Sequence, residues 1–325
     1  MKAIDETLEP TLTNSSLPLF ANFDAVPKSW YVAARSKQVG RCQVRSFDLL
    51  NRRFALWRDA KGVVHALDAQ CPHLGADLGQ GEVLGDRLRC AFHHWSFDGS
   101  GRCVHAPGHE KAPRHVARAY PVAERFGLIW LFNGQAPTFH VPSLPDGDDE
   151  GQYWKLLPRP KRISCHPHLV IGNGLDARHF ETVHDMRFTA TPTLEQTSRH
   201  RLTLRIQGRP RSRLVSVLTG CGKRDIRARF TTIGGNLAWS TVESPIRFHT
   251  LFTARPSAGH CCETQIVLFL PRGGGLGAIR AIMLTYVLLH DDSRILEGLD
   301  FHPGFTDDDE PLRRFAELVN QMERE

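Results

Sequence analysis

Two cysteine–histidine pairs carry the most specific chemistry in this sequence. Cys71-Pro-His73-Leu-Gly is followed by Cys90-Ala-Phe-His93, with 16 residues between His73 and Cys90. Two tight pairs, each on a loop, make one four-ligand site. An iron–sulfur centre with two thiolates on one iron and two imidazoles on the other has this demand, and its two neutral histidines raise its potential above that of an all-cysteine cluster. Tetrahedral zinc could take the same four residues, but zinc-finger spacings differ from C-x-H…C-x-x-H and the β-rich surroundings are unlike a finger. His94 competes as a ligand on paper; the C-x-x-H spacing selects His93 and leaves His94 to packing or hydrogen bonding. Cys103 reads as a buried small residue. Cys165-His166-Pro-His168 reads as structural despite its metal-like composition.

A second constellation lies downstream, in Asn173-Gly-Leu-Asp176-Ala-Arg-His179-Phe-Glu-Thr-Val-His184. Two histidines beside carboxylates suggest the 2-His-1-carboxylate triad, which holds Fe(II) on one face and leaves the other positions open. On an ideal helix, positions five apart differ by about 7.5 Å of rise and about 140° of rotation. Both imidazoles can therefore meet one metal only if the helix is irregular or ends between them, and a distortion is expected near Phe180–Val183. Alone, D-x-x-H-x4-H arises by chance on helices; its weight comes from its co-occurrence with the first constellation.

The upstream segment resembles the Rieske family through Cys71, His73, Cys90 and His93, and further through Gly75, Asp77-Leu78, Gly81, Trp95, Phe97-Asp98, Gly101 and Cys103. It departs at His94, where the family commonly has glycine. The downstream pattern N-x-x-D-x-x-H-x4-H is matched at Asn173, Asp176, His179 and His184. Together the two resemble the catalytic alpha subunit of the Rieske non-haem iron oxygenases. The resemblance implies two cofactors: a Rieske 2Fe–2S cluster on Cys71, His73, Cys90 and His93, and a mononuclear Fe(II) on His179, His184 and an aspartate in a late D-x4-E context. Asp292-Ser-Arg-Ile-Leu-Glu297 fits; Asp291 is adjacent but lacks the glutamate five positions on. It also implies that Asp176 hydrogen-bonds a Rieske histidine of a neighbouring subunit and an iron histidine, fixing both rings, and hence that the protein is a cyclic homotrimer. Asn173 then sits beside the iron. The plainer reading of Asp176 is an early-helix carboxylate facing the helix dipole.

The elements that must position these residues follow from composition and patterning. The 325 residues, 41% hydrophobic and 23% charged, suit a folded protein with room for two domains. The net charge of +6, from 41 Lys and Arg against 35 Asp and Glu, is spread without a dense basic run. No nucleic-acid partner is expected; an acidic protein partner or anionic substrate suits it better. No apolar run reaches the length of a membrane span, the longest candidate, Ala281–Leu289, being interrupted by Thr285. The acidic, proline-bearing start is unlike a secretory signal. A cytoplasmic protein with no membrane partner and reduced cysteines is expected.

The expected fold class is α+β. Residues 1–22 read as an irregular N-terminal segment and 23–135 as an all-β Rieske domain, including a hairpin of RFALW and VVHAL about Asp59–Gly62. Residues 136–150, with Pro142, Pro145 and an acidic cluster, read as a linker. Residues 151–325 read as a catalytic domain with a large antiparallel sheet flanked by helices. In it Gly174–Asp185 is expected to be a helix, Leu202–Leu270 a succession of strands that includes RLVSVLT, and Leu276–Leu299 and Glu310–Arg324 closing helices.

A one-electron donor beside an open Fe(II) site is suited to activating O2. No nicotinamide or flavin fingerprint accompanies it, so a separate reductase, with or without a ferredoxin, is expected to supply electrons. The expected activity is that of a terminal oxygenase using O2 to hydroxylate, demethylate, dihydroxylate or N-oxygenate an organic, aromatic or polycyclic substrate. The single compact chain resembles the monooxygenase and demethylase branch, and the Rieske module is similar to that of the aminopyrrolnitrin-type arylamine N-oxygenases. Phe188, Trp239, Phe248, Phe252, Phe269, Met283 and Tyr286 are available to line a pocket. The alternatives are an electron-transfer or binding protein without a working mononuclear iron site, and a zinc-stabilised interaction protein.

Overall fold

The structure is a computed structural model that describes residues 18–222 and 224–324. Most of the segment 1–22 therefore lies outside the described residues. Its end is not irregular surface: Leu19 and Phe20 are buried, and both their N–H groups donate to Asn320 Oδ1 at 2.8 Å. These two apolar side chains share a buried cluster with Phe315, Leu318 and Val319 of the C-terminal helix.

The N-terminal half is built from short antiparallel strands. The hairpin of Arg52–Arg58 and Val64–Asp68 forms as the β-rich sequence requires, its turn closed by Asp59 Oδ1, which accepts from the N–H groups of Lys61 and Val63 at 2.8 Å. Gln43–Leu49 and Ala119–Tyr120 complete this four-stranded sheet. A second four-stranded sheet joins Glu82–Leu84, Arg87–Arg89, Ser96–Phe97 and Cys103–His105. The Cys71 loop leaves the first sheet and the Cys90 loop leaves the second. Buried Trp57, Leu67, Leu78, Leu88 and Phe97 lock the two together.

The C-terminal half is organised on one eight-stranded antiparallel sheet. A three-stranded sheet of Trp30–Arg35, Leu128–Phe132 and Val122–Arg125 joins the two halves. Its Trp130 and Phe132 share a buried cluster with Trp239, Leu251 and Phe269 of the large sheet.

Among the described residues, five α-helices flank that sheet: α1 Pro167–Gly172, α2 Ala177–Thr182, α3 Arg213–Thr219, α4 Gly275–Leu296 and α5 Glu310–Asn320. Three local expectations need correction. RLVSVLT is helix α3, not a strand: Ser212 caps its start by accepting from Val215 N–H, and Gly220 ends it at φ 63°. Its β-branched valines are overridden because Val215 and Leu218 pack against α4 and the sheet. The helix expected over Gly174–Asp185 is interrupted, with a 3-10 turn at Asn173–Leu175 and extended backbone at Asp176 before α2. The 13-residue strand Met186–Ser198 is unforeseen; an edge strand exposed along much of its length and carrying Pro192 lacks the alternation that announces a half-buried strand.

Candidate active site

The Cys71 and Cys90 loops of the N-terminal half have matched turns. Gly75 N–H donates to the Cys71 carbonyl at 2.8 Å, and His94 N–H to the Cys90 carbonyl at 3.2 Å. Both closing residues lie in the left-handed region, Gly75 at φ 79° and His94 at φ 58°. His94 thus occupies the turn position where glycine is the relaxed choice.

Cys71 and Cys90 are buried side by side in one cluster. Burial pushes the Cys71 thiol up to about 11, opposed by the backbone N–H groups of His73 and Leu74 that point at its sulfur. The imidazoles of His73 and His93 pair with each other nearer the surface, ring centroids 4.8 Å apart. Trp95 lies flat against His73, at 4.1 Å and 6°, which fixes that ring's plane. His73 is held below its ordinary pKa first by desolvation and then by the neighbouring His93, His115 and His109, which favours the neutral ring that metal ligation requires.

A zinc site would bring all four donors within mutual reach of one ion. Among the described residues, no three of these donors lie within 4.8 Å of one another. A thiol pair set apart from an imidazole pair is the arrangement a two-iron cluster spans. Cys103 is buried and bonds the His105 carbonyl through its sulfur. In the Cys165–His168 run, His166 caps α1, its Nδ1 accepting from His168 N–H at 3.1 Å. Burial pushes His166 down to about 4, so the run is structural.

The second constellation is assembled by α2 and α4. Helix α2 ends at Thr182, between the two histidines. The chain leaves the helix through Val183, whose φ is −90°, with His184 beside His179, and Asp185 at φ 48° then redirects it into the following strand. His179 Nε2 and His184 Nε2 are 2.8 Å apart, and Asp292 Oδ1, from α4, is 3.0 Å from each. Asp291, its neighbour, takes no part in this group. The buried Oδ1 of Asp292 makes no directed hydrogen bond, and with the two Nε2 atoms, themselves within hydrogen-bond distance of each other, it forms one tight triangle. Burial would raise the Asp292 carboxyl, but the two imidazoles outweigh it and hold it below the usual range.

Three donors about 2.1 Å from one ion stand about 3.0 Å apart when mutually perpendicular and about 3.4 Å apart at tetrahedral angles. The observed triangle fits three neighbouring positions of an octahedral Fe(II) site. Asn173 Nδ2 lies 3.3 Å from His179 Nε2. Asp176 caps α2, its Oδ1 accepting from His179 N–H at 3.0 Å; among the described residues it bonds neither imidazole, and His184 Nδ1 is buried without a partner. Glu297 stands away from the triangle and ties the end of α4 to Ser164 N–H at 3.3 Å.

The triangle opens into a cavity in two parts. An inner chamber of about 90 Å³ touches His179, His184, Asp292 and Phe248. An outer one of about 370 Å³ runs between α4 and the sheet, lined by Ile163, Ile266, Leu268, Tyr286 and Leu289. Phe252, Asn173 and Asp292 line both. Of the aromatic residues available from sequence, Phe248, Phe252 and Tyr286 reach the cavity. Trp239 and Phe269 are instead core between the sheets, Phe188 packs on the core under α1 and α5, and Met283 points outward. The sequence reading missed Ile266, Thr285 and Arg159 as lining residues; no spacing links these distant segments, and only the fold brings them together.

Residues 29–122 match the Rieske 2Fe-2S domain family, and residues 129–243 match the 3-ketosteroid 9alpha-hydroxylase C-terminal domain family. The 4beta-methylsterol monooxygenase of Methylococcus capsulatus is 36% identical over 158 residues, which are 46% of this chain and 42% of that protein. Aminopyrrolnitrin oxygenase PrnD of Pseudomonas fluorescens is 32% identical over 171 residues, 50% of this chain and 47% of that one. The alignments thus span less than half the length of these curated relatives. In fold, the chain superposes on dicamba monooxygenase bound to dicamba with a TM-score of 0.69 at 22% identity, covering 91% of this chain and 96% of that one. No helix among the described residues is long and apolar enough to cross a membrane. A Rieske 2Fe–2S domain joined to a domain of the 3-ketosteroid 9alpha-hydroxylase type gives this chain the build of a Rieske non-haem iron oxygenase alpha subunit.

Proposed function

We propose that this chain is the terminal oxygenase of a multicomponent system. It receives single electrons from a separate reductase, with or without a ferredoxin, and uses O2 to oxidise an organic substrate with an aromatic or polycyclic body. One observation carries this reading: a chain with a Rieske domain also holds a triangle of His179, His184 and Asp292 donors, 2.8 to 3.0 Å on a side, open to an apolar cavity. When bound, the cluster supplies electrons one at a time and the ferrous ion supplies open positions for O2.

Each residue then has a stated task. Cys71, Cys90, His73 and His93 hold the cluster, and Trp95 keeps the His73 ring from rotating. His179, His184 and Asp292 hold the iron. Asn173 presents its amide to a polar group of the substrate beside His179. Phe252, Ile266 and Leu268 bind an apolar body and keep water from the inner chamber. Asp176 uses Oδ1 as a helix cap and leaves its other oxygen for an imidazole of a neighbouring copy, the contact a cyclic homotrimer would use. Monooxygenation or demethylation suits the single chain and the names borne by its relatives, a sterol monooxygenase and a dicamba O-demethylase.

The test is a single-turnover measurement. Protein with a pre-reduced cluster is mixed with O2 and a panel of sterols and aromatic acids, and cluster reoxidation and product are followed. Substrate-dependent reoxidation that is lost in Asp292→Ala supports the reading. Equal reoxidation in the variant and the native chain, without product, would mean a carrier with no working iron site.

A further inference from the structure

The outer face of α4 and of its neighbour α3 is apolar and open. Tyr286 is 74% exposed, Val217 63%, Leu276 61%, Ile279 55%, Leu214 55% and Met283 50%. The two helices pack together over a shared inner cluster of Leu218, Ala281 and Leu284, so these six side chains are not needed for that core. Soluble surfaces seldom gather so many large apolar groups without a partner.

The two segments that build this face carry charge of one sign. Residues 211–224 and 264–290 contain no Asp or Glu. Arg213 and Arg224 flank α3, Arg280 lies beside Gly220 at its end, and Arg272 precedes α4. Arg159 stands at the mouth of the outer chamber. Among the described residues, none of these five is within ion-pair distance of an acid. Arg272 instead stacks over Trp154 at 4.6 Å, an indole 60% exposed. An apolar helix face with exposed Trp and Tyr at its margin and unpaired arginines around it matches an interface lying in the headgroup region of an anionic membrane.

We infer that the α3–α4 face docks this protein on an anionic lipid surface, without crossing it. The outer chamber opens at this face, since Tyr286 and Ile282 belong to both the cavity wall and the exposed surface. An apolar substrate dissolved in the bilayer would then reach the cavity without passing through water. Patterning points the other way, since no apolar run is long enough for a span and no membrane partner is expected; folding leaves about half of the apolar residues of α4 outside. The docking is read without turnover, so it stands or falls apart from the oxygenase assignment.

The experiment is co-sedimentation of the full-length, cofactor-loaded protein with large unilamellar vesicles. One set is phosphatidylcholine alone and the other contains phosphatidylglycerol, each at low and high salt. The native chain should pellet with the phosphatidylglycerol vesicles and be released by salt. Ile279→Glu with Met283→Glu, at positions outside the cavity wall, should lower the partition coefficient at least tenfold. Arg213→Ala should lower it about fivefold, and Val63→Glu, at an exposed site on the other half of the chain, should leave it unchanged. Circular dichroism and iron content confirm that each variant is folded. The inference is overturned if the native chain ignores phosphatidylglycerol, or if the double variant binds as well as the native chain. It is equally overturned if the native chain fails to bind and the double variant changes the sedimentation coefficient, which would assign the face to a second copy.

Discussion

Replacing His94 by glycine probes the one turn at which the cluster module departs from its family's pattern. His94 holds φ 58°, and its exposed side chain has no hydrogen-bond partner among the described residues. Left-handed backbone costs an L-residue about 1–2 kcal/mol. Glycine would relieve that strain but give back about 0.5–1 kcal/mol through the greater freedom of the unfolded chain. The net expectation is a gain of about 0.5–1 kcal/mol. A module of roughly a hundred residues moves by about 4–8 °C per kcal/mol, so thermal bleaching of the cluster should shift upward by about 2–8 °C. His94→Ala keeps the strained backbone and should stay within about a degree of the native chain by the same scaling. The EPR spectrum of the reduced cluster should be unchanged in both, because His93 remains the ligand. An alanine variant as stabilised as the glycine variant would refute the backbone argument, and an altered EPR spectrum would place His94 on the cluster.

Three further outcomes follow from the same geometry. Asp176→Asn keeps a good helix cap and should leave both metal centres loaded while turnover falls about 10–100-fold; turnover equal to the native rate would reduce Asp176 to a cap. Asp225 is held down to about 2 by hydrogen bonds from Gln207 and Thr189 and by Arg209, so its stabilisation is present above the ordinary carboxylate pKa and lost as pH falls from about 4 toward 2. Urea unfolding should accordingly show Asp225→Asn less stable than the native chain at neutral pH, with the difference vanishing in acid. Phe269→Ala, which empties a fully buried site between the two sheets, should cost about 3–5 kcal/mol in chemical denaturation.

The candidate metal sites are legible in the sequence because ligand chemistry writes itself in residue type and short spacing. Cys71, His73, Cys90 and His93 need only two loops, and His179 and His184 need only a helix that stops early, which the five-residue spacing itself demanded. Asp292 is 108 positions beyond His184 in the chain; the glutamate five positions on favours it over the adjacent Asp291, and the rotation of α4 brings Asp292, not Asp291, to the two imidazoles. Patterning failed where tertiary contacts decide. Val215 and Val217 favour a strand, yet Ser212 and Gly220 cap a helix that α4 holds in place. Met186–Ser198 lies at a sheet edge with too little burial to impose alternation. The cavity was the least legible feature, since its wall gathers Leu156, Val170, Ile266 and Leu289 from four separate elements or loops.

The central claim is that one chain holds a two-iron cluster and a separate ferrous ion in the His179–His184–Asp292 triangle. Iron and acid-labile sulfide are therefore to be quantified in anaerobically purified protein, alongside low-temperature EPR. The account predicts about three irons and two sulfides per chain, falling to about two irons in Asp292→Ala with the cluster signal intact. Two irons in the native chain, or zinc in a colourless protein, would contradict it.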